Sequence, residues 1–149
     1  MNYQFQEGAI TLPDEEYQDN SLNMLRFPTR QGSISITRDV VAPEITLNDY
    51  LAGQLSAIKR EMKNAVVKAP TDFRTEKGVT GCEIYCETKQ KGIPIYQWIA
   101  AFRLENKIVV LTYCQIKPFS NTEQAQWQAL RDSFTPSPNY RPINAIPMF

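Results

Sequence analysis

Histidine is absent from this chain of 149 residues, and its absence removes several kinds of site. Without an imidazole there is no Ser-His-Asp or Cys-His pair to activate a nucleophile, and no zinc site with a histidine ligand. Glycine is scarce, with six residues, and none belongs to a G-x-G-x-x-G or G-x-x-x-x-G-K-[ST] loop. The sequence therefore excludes the most familiar hydrolase chemistry and predicts neither a nucleotide cofactor nor any other.

An excess of one charge and a long apolar run are also missing. The 16 basic and 16 acidic residues cancel, and neither sign forms a long block, so nucleic acid and anionic membranes are not expected partners. No apolar run approaches the roughly 18 residues of a spanning helix. The first residues, MNYQFQEGAITLP, lack the basic and apolar regions of a signal peptide. These features predict a cytoplasmic protein that does not insert into a membrane.

Paired cysteines are the third absence. Cys82, Cys86 and Cys114 are odd in number and lack C-x-x-C spacing, which argues against a disulfide framework. The stretch GCEIYCET places the first two on one side of a predicted strand, which favours core packing over reactivity. The acidic clusters lie in loop-like sequence and are interpreted as solvated charge: Asp14, Glu15, Glu16, Asp72 and Glu76. We therefore predict that the protein is not an enzyme. The enzyme alternative requires a perturbed acidic pair or a thiolate in a cleft.

What the sequence does contain is a strand-rich pattern with two helices. SISITRD alternates apolar and polar residues, and VTGCEIYCETKQ, IPIYQWIAAFRLE and KIVVLTYCQIK predict three consecutive antiparallel strands. Thr46 is a predicted helix N-cap, and Ser120 with Glu123 forms a capping box before a second helix. The first helix carries an apolar stripe: Leu47, Leu51, Leu55, Ile58 and Met62.

The order of strands, helix, strands and helix predicts an α+β fold. We expect one twisted antiparallel sheet of about six strands packed with two main helices. A single domain is predicted over residues 1–136, followed by a proline-rich C-terminal tail over residues 137–149.

The strand SLNMLRFP has apolar side chains on both faces. Leu22 and Met24 lie on one predicted face, and Leu25 and Phe27 on the other. We expect the two helices to cover one face of the sheet, with Leu25 and Ile34 in the covered core, so that part of the second face stays open or meets another chain. In the alternative, loops, the tail and a second copy of the chain cover that face completely.

Three stretches and their order along the chain resemble a known family. They are EGAITLPDEEYQDNSLNMLRFP, the following ISITRD, and DYLAGQL in the first helix. In this order they resemble the Eag-type chaperones of type VI secretion effectors, members of the DcrB-like family with a PsbP-like fold. The resemblance implies an α/β sandwich and a homodimer that binds the N-terminal transmembrane helices of an effector in the cytoplasm before export.

The resemblance also implies which residues meet the client. The aliphatic pair of the S-h-N-h strand corresponds to Leu22 and Met24, with Asn23 between them pointing away. Ser35 and Met62 correspond to two further client-facing positions. Ser35 is polar where an aliphatic residue is expected, but a small residue permits close approach of a helix backbone.

We therefore predict a chaperone or adaptor that shields apolar helices of a secreted effector. The alternative is a carrier that encloses a small apolar ligand, which predicts a closed pocket and a copurifying ligand. Methionines such as Met24 and Met62 adapt to irregular apolar surfaces and would suit a groove that accepts several helices. From its spacing alone, Met62 equally continues the core stripe of the first helix.

Overall fold

The computed structural model describes residues 2–62, 64–105 and 107–138. In chain order the elements are β1 (Asn2–Phe5), β2 (Gly8–Thr11), β3 (Asn23–Phe27), a 3-10 turn (Pro28–Arg30), β4 (Gly32–Val40), α1 (Leu47–Glu61), β5 (Val66–Val67), β6 (Thr71–Arg74), β7 (Thr80–Gln90), β8 (Ile93–Leu104), β9 (Lys107–Gln115) and α2 (Asn121–Asp132).

The main sheet is antiparallel and larger than predicted. Its order is β3-β4-β9-β8-β7, and both β5 and β6 pair with β7, so that it has seven strands rather than about six. The difference arises near Pro70, between β5 and β6, because proline cannot donate a ladder hydrogen bond. The strands β1 and β2 form a separate hairpin. The predicted α+β class is confirmed.

Both helices begin at the capping residues that the sequence predicted. The Thr46 hydroxyl accepts a hydrogen bond from the Asp49 N–H at the start of α1. At the start of α2, Ser120 and Glu123 exchange both bonds of a capping box. Each cap satisfies N–H groups that have no partner within the helix.

The two helices lie on opposite faces of the sheet, so the prediction that they share one face is wrong. Trp127 of α2 packs in a cluster with Ala100, whereas Leu51 and Leu55 of α1 pack with Ala101. Successive residues of a strand point to opposite faces. The sheet therefore needs two apolar faces, because each face has its own helix.

The core under α2 is aromatic and is fixed by one buried carboxylate. The Trp127 Nε1–H and the Arg131 Nη1–H both donate to Glu83 Oε2, at 3.1 and 2.9 Å. Glu83 and Arg131 are both largely shielded from solvent. Because this charge is paired and hydrogen-bonded, it can be buried, and it sets the position of α2 on β7.

Candidate functional site

The helix α1 covers only part of its face of the sheet. It packs on β7 and β8, and the cluster beneath it includes Ile84, Ala101 and Val110. The register continues that face beyond the helix, because Ile99 is opposite Thr112, Thr112 is opposite Ser35, and Ser35 is opposite Met24. We call the part beyond α1 the open strip: Leu22, Met24, Ser33, Ser35, Thr37, Thr112 and Cys114.

The outer rim of the open strip is apolar and strongly exposed. The exposed fractions are 58% for Leu22 and 55% for Met24. Met24 lies in β3, which ends the strand order of the described sheet, and Leu22 precedes it by two residues on the same side. Large apolar side chains with this exposure are available to a partner.

The floor of the open strip is made of small side chains. Ser33 and Ser35 of β4 pair with Cys114 and Thr112 of β9, and all four are partly buried. Because these side chains are short, a helix that lies on them can bring its backbone close to the strands.

The chain that leads into the rim is held by side-chain hydrogen bonds. Arg38 Nη1 donates to the carbonyl of Ser21 at 2.9 Å, and the Tyr3 hydroxyl donates to Asp19 Oδ2 at 2.8 Å. Hydrogen bonds from the Ser21 and Tyr3 hydroxyls lower the pKa of the Asp19 carboxyl. These contacts join the hairpin of β1 and β2 to the start of β3 and fix the position of Leu22.

The structure brings together three of the four predicted site residues. Leu22, Met24 and Ser35 share one face and neighbouring strands, while Asn23 pairs with Ile36 and faces the other way, as expected. Met62 lies on another element: it is the C-cap of α1, is half-buried, and donates its N–H to the Ile58 carbonyl. It lies at the end of α1 that leads into β5, at the edge of the sheet opposite β3.

Leu25 corrects one expectation about the opposite face. It was expected in the helix-covered core with Ile34, and Ile34 is 4% exposed, but Leu25 is 50% exposed. The two residues are cross-strand partners, but α2 packs over Tyr113, next to Ile34, and Leu25 lies one strand further out. The alternation of apolar and polar residues assigned Leu25 to the correct face, but it carries no information about how many strands α2 covers.

The sequence pattern missed Thr112 and Cys114 as part of this surface. Their side of β9 also contains Ile108 and Val110, which pack under α1, so the strand reads as core throughout. Only the pairing of β4 with β9 shows that the later half of this side lies beyond the helix. That pairing joins segments more than 60 residues apart, and no local motif indicates it.

The cysteines are protonated thiols at neutral pH. Burial raises the pKa of Cys82 to about 12 and that of Cys86 to about 11. Burial also raises the pKa of Cys114, which is less buried and lies on the open strip. The prediction that Cys82 and Cys86 pack in the core on either side of Ile84 is confirmed.

A cleft of about 400 Å³ lies at one end of the open strip. Its lining includes Met24, Arg26, Ser33, Cys114 and Ile116. Ile116 is itself 44% exposed, so the cleft adds apolar surface to the rim at Met24.

A comparison with known families covers most of the chain. The sequence profile of the DcrB family matches residues 7–133. The chain belongs to the DcrB family. Every described element from β2 to α2 falls in the matched region, and with it the open strip of this DcrB chain.

The fold of this DcrB chain is also found in a solved structure. The crystal structure of PA94, a protein of unknown function from Pseudomonas aeruginosa, is similar with a TM-score of 0.68 and 18% sequence identity. The similarity covers 93% of this chain and 97% of PA94. It shows a shared fold. No curated protein matches the sequence.

Among the described residues of this DcrB chain, no helix is long and apolar enough to cross a membrane. Those residues also contain no group of three or more potential metal ligands.

Proposed function

We propose that this chain is a cytoplasmic chaperone that binds and shields the N-terminal transmembrane helices of a type VI secretion effector before export. The observation that carries the proposal is the open strip, where Leu22 and Met24 stand more than half exposed beside a floor of small residues. Membership of the DcrB family and the resemblance of three sequence stretches to Eag-type chaperones support the same function.

The length of the open strip fits part of a transmembrane helix. On its central strand, β4, the strip runs from Ser33 to Thr37, and at about 3.4 Å per residue these residues span roughly 17 Å. Beyond Thr37, Tyr50 of α1 donates a hydrogen bond to Asp39 on the same face, at 3.1 Å. A helix of about 20 residues, the length that crosses a bilayer, is about 30 Å long, so a client helix that runs along β4 would be covered over about half of its apolar length.

The width of the open strip fits a single helix beside α1. Packed helices lie about 8–10 Å apart, which is about two strand spacings of roughly 4.8 Å. Because α1 lies mainly over β7 and β8, a helix packed beside it would lie over β9 and β4, except at the N-terminal turn of α1, where Tyr50 already contacts Asp39 of β4. Met24 would then contact the outer side of the client helix, whereas Met62 lies four residues before β5, at the opposite edge of the sheet. This geometry favours one client helix for each copy of the chaperone, and two for the homodimer that we propose.

The energetics also suit transient shielding. Covering about 500 Å² of apolar client surface recovers on the order of 12 kcal/mol of gross transfer free energy at about 25 cal/mol per Å². The costs of association and ordering remove much of this, so the complex can be stable and still release its client.

Coexpression with an effector's N-terminal apolar region tests the proposal. We expect a stable complex with the unaltered chain and loss of that complex with Leu22→Arg or Met24→Arg, because a charge would be buried against an apolar helix. Val66→Arg is the matched control, since Val66 is 52% exposed on β5, at the other edge of the sheet. Circular dichroism would establish that each variant is folded, and the mass of the complex would give its stoichiometry.

A folded Leu22→Arg variant that keeps its client would refute the assignment of the open strip. If no neighbouring effector forms a complex and a small apolar molecule copurifies, the carrier function would replace the chaperone proposal. Its binding place would then be sought in the cleft beside Met24, whose volume of about 400 Å³ is within the range of ligand pockets.

Alkylation of Cys114 provides a second, independent test on the unaltered protein. This thiol lies on the floor of the open strip, whereas Cys82 and Cys86 are buried in the fold. We expect a maleimide to label Cys114 alone, and a bound client helix to slow that labelling. Labelling at the same rate with and without client would place the client elsewhere.

A further inference from the structure

The helix α2 leaves part of its own face of the sheet uncovered, and a cleft of about 340 Å³ lies there. The floor of the cleft is aliphatic and comes from three neighbouring strands: Ile36 of β4, Val109 and Leu111 of β9, and Leu104 of β8. Phe134, which follows α2, also lines the cleft and stacks on Phe102, with ring centroids 4.3 Å apart. A cleft of this volume is within the range of sites that hold small molecules.

Two cationic side chains stand at one end of this aliphatic floor. Lys107 precedes Val109 by two residues on β9, and Arg38 is the cross-strand partner of Val109 on β4. Alternate residues of a strand, and residues paired across strands, share one face of a sheet. Both cations accordingly line the cleft, which combines an apolar body with a positively charged end.

Arg38 has no acidic partner in the part of the chain that the structure describes. Its Nη1 donates to the carbonyls of Ser21 at 2.9 Å and of Ile36 at 3.4 Å, and the ion pairs there are made by Arg131. Carbonyl groups orient a guanidinium but do not neutralise its charge. Because a guanidinium has five N–H donors in a fork that matches a carboxylate, Arg38 retains donors for an acidic ligand.

One carboxylate of the protein lies near the two cations, on their other side. Asp19 lines a neighbouring cleft together with Arg38 and Lys107, and it accepts hydrogen bonds from the hydroxyls of Tyr3 and Ser21. Two positive charges and one negative charge leave a single positive charge for a ligand. This balance matches a carboxylate better than a phosphate monoester, which carries nearly two negative charges at neutral pH.

We propose that this cleft binds a medium-chain fatty acid, with its carboxylate at Arg38 and Lys107 and its aliphatic chain over Val109 and Leu111. The stretch of β9 from Lys107 to Leu111 is about 14 Å long at about 3.4 Å per residue, which gives the chain an extended apolar bed. Apolar burial supplies affinity, and the charge-assisted hydrogen bonds fix the orientation of the ligand.

The fatty-acid site is separate from the open strip. Its floor lies on the side of α2, whereas Leu22 and Met24 face the side of α1. A bound fatty acid leaves the open strip available, so binding here is independent of the proposed chaperone function. The cleft beside Met24 is the competing location for the same ligand, because its lining includes one arginine, Arg26.

Calorimetric titration of the full-length chain with decanoate tests this site, with decanol as the uncharged probe of equal length. We expect decanoate to bind at least about tenfold more tightly than decanol, because its carboxylate gains hydrogen bonds to charged donors. Arg38→Met removes the charge but keeps a long apolar side chain, so it should remove most of this preference. Lys107→Met should reduce it as well, and circular dichroism would establish that each variant is folded.

Arg26→Met is the matched control, because it removes one positive charge from the cleft on the other face. The preference of this variant for decanoate should equal that of the unaltered chain. Equal binding of acid and alcohol by the unaltered chain, or no binding of decanoate, would refute the proposal. It would also be refuted if the preference survived both Arg38→Met and Lys107→Met, or if Arg26→Met removed it.

Discussion

Gly81 of β7 lies under an aromatic ring, and the substitution Gly81→Ala tests how tightly that ring is held. A Cβ atom at this position would lie 2.8 Å from both Cε1 and Cε2 of Phe73, and closer still to Cζ. Carbon atoms in contact are normally about 3.5–4.0 Å apart, so the ring would have to move by about 1 Å. The ring is constrained by Phe102, with centroids 5.5 Å apart, and by Arg131, whose Cζ is 4.2 Å from the ring centroid.

The magnitude follows from these contacts. Overpacking of this kind costs about 1–3 kcal/mol, and a disturbed aromatic pair adds about 0.5–1.5 kcal/mol. Replacing glycine in a strand returns about 0.5–1 kcal/mol of backbone entropy. The net expectation is a free energy of unfolding lower by about 2 kcal/mol, which for a chain of this size lowers the melting temperature by about 4–8 °C.

The assay is a thermodynamic cycle measured by urea unfolding. Phe73→Ala removes the ring, and Gly81→Ala in that background should be neutral or stabilising, so the sign of its effect reverses. If Gly81→Ala destabilises both backgrounds equally, the ring does not cause the cost, and the steric account is wrong.

Three further predictions concern stability. Ser120→Ala should lower the free energy of unfolding by about 1 kcal/mol in urea titrations, because the capping box is lost, whereas Ser120→Asp should largely retain it. Glu83→Ala should cost about 1.5–3 kcal/mol, because Trp127 and Arg131 lose a shared charged acceptor while Arg131 keeps its ion pair with Asp132, and a variant as stable as the parent would contradict the pairing. Between pH 9 and 10, stability should fall as pH rises. The thiols of Cys82 and Cys86 ionise near the ordinary thiol pKa of 9.0 when the chain is unfolded, but burial raises their pKa values to about 12 and 11 in the fold, where they remain protonated. Urea titrations at several pH values in this range should show that the free energy of unfolding falls less steeply with pH in Cys82→Ala/Cys86→Ala than in the unaltered protein.

The local elements of the fold could be predicted because their signals are short-range. The capping residues of both helices, the three long strands and the alternation of β4 each depend on a few neighbouring residues, and each is confirmed. The positions of Leu22, Met24 and Ser35 on one face also follow from alternation once β3 and β4 are paired.

The arrangement of the helices could not be predicted in the same way. Which face a helix covers depends on pairings between distant strands, and periodicity does not encode them. Leu25 and Cys114 illustrate the consequence, because both lie on strands that read as core, yet both stand beyond the reach of a helix. Met62 shows the converse: it continues the spacing of a core stripe but ends the helix half-buried.

The pairing of β4 with β9 has a consequence for synthesis on the ribosome. Gly32 pairs with Gln115 and Val40 with Lys107. The strand β4 therefore cannot pair with β9 until β9, the last strand, has been synthesised. Until then β3 and β4 can form only a two-stranded hairpin, which is marginal in water. At about 5–20 residues per second, the nascent chain exposes these apolar strands for several seconds. We therefore expect ribosome-associated chaperones to bind the nascent chain within its first 40 residues.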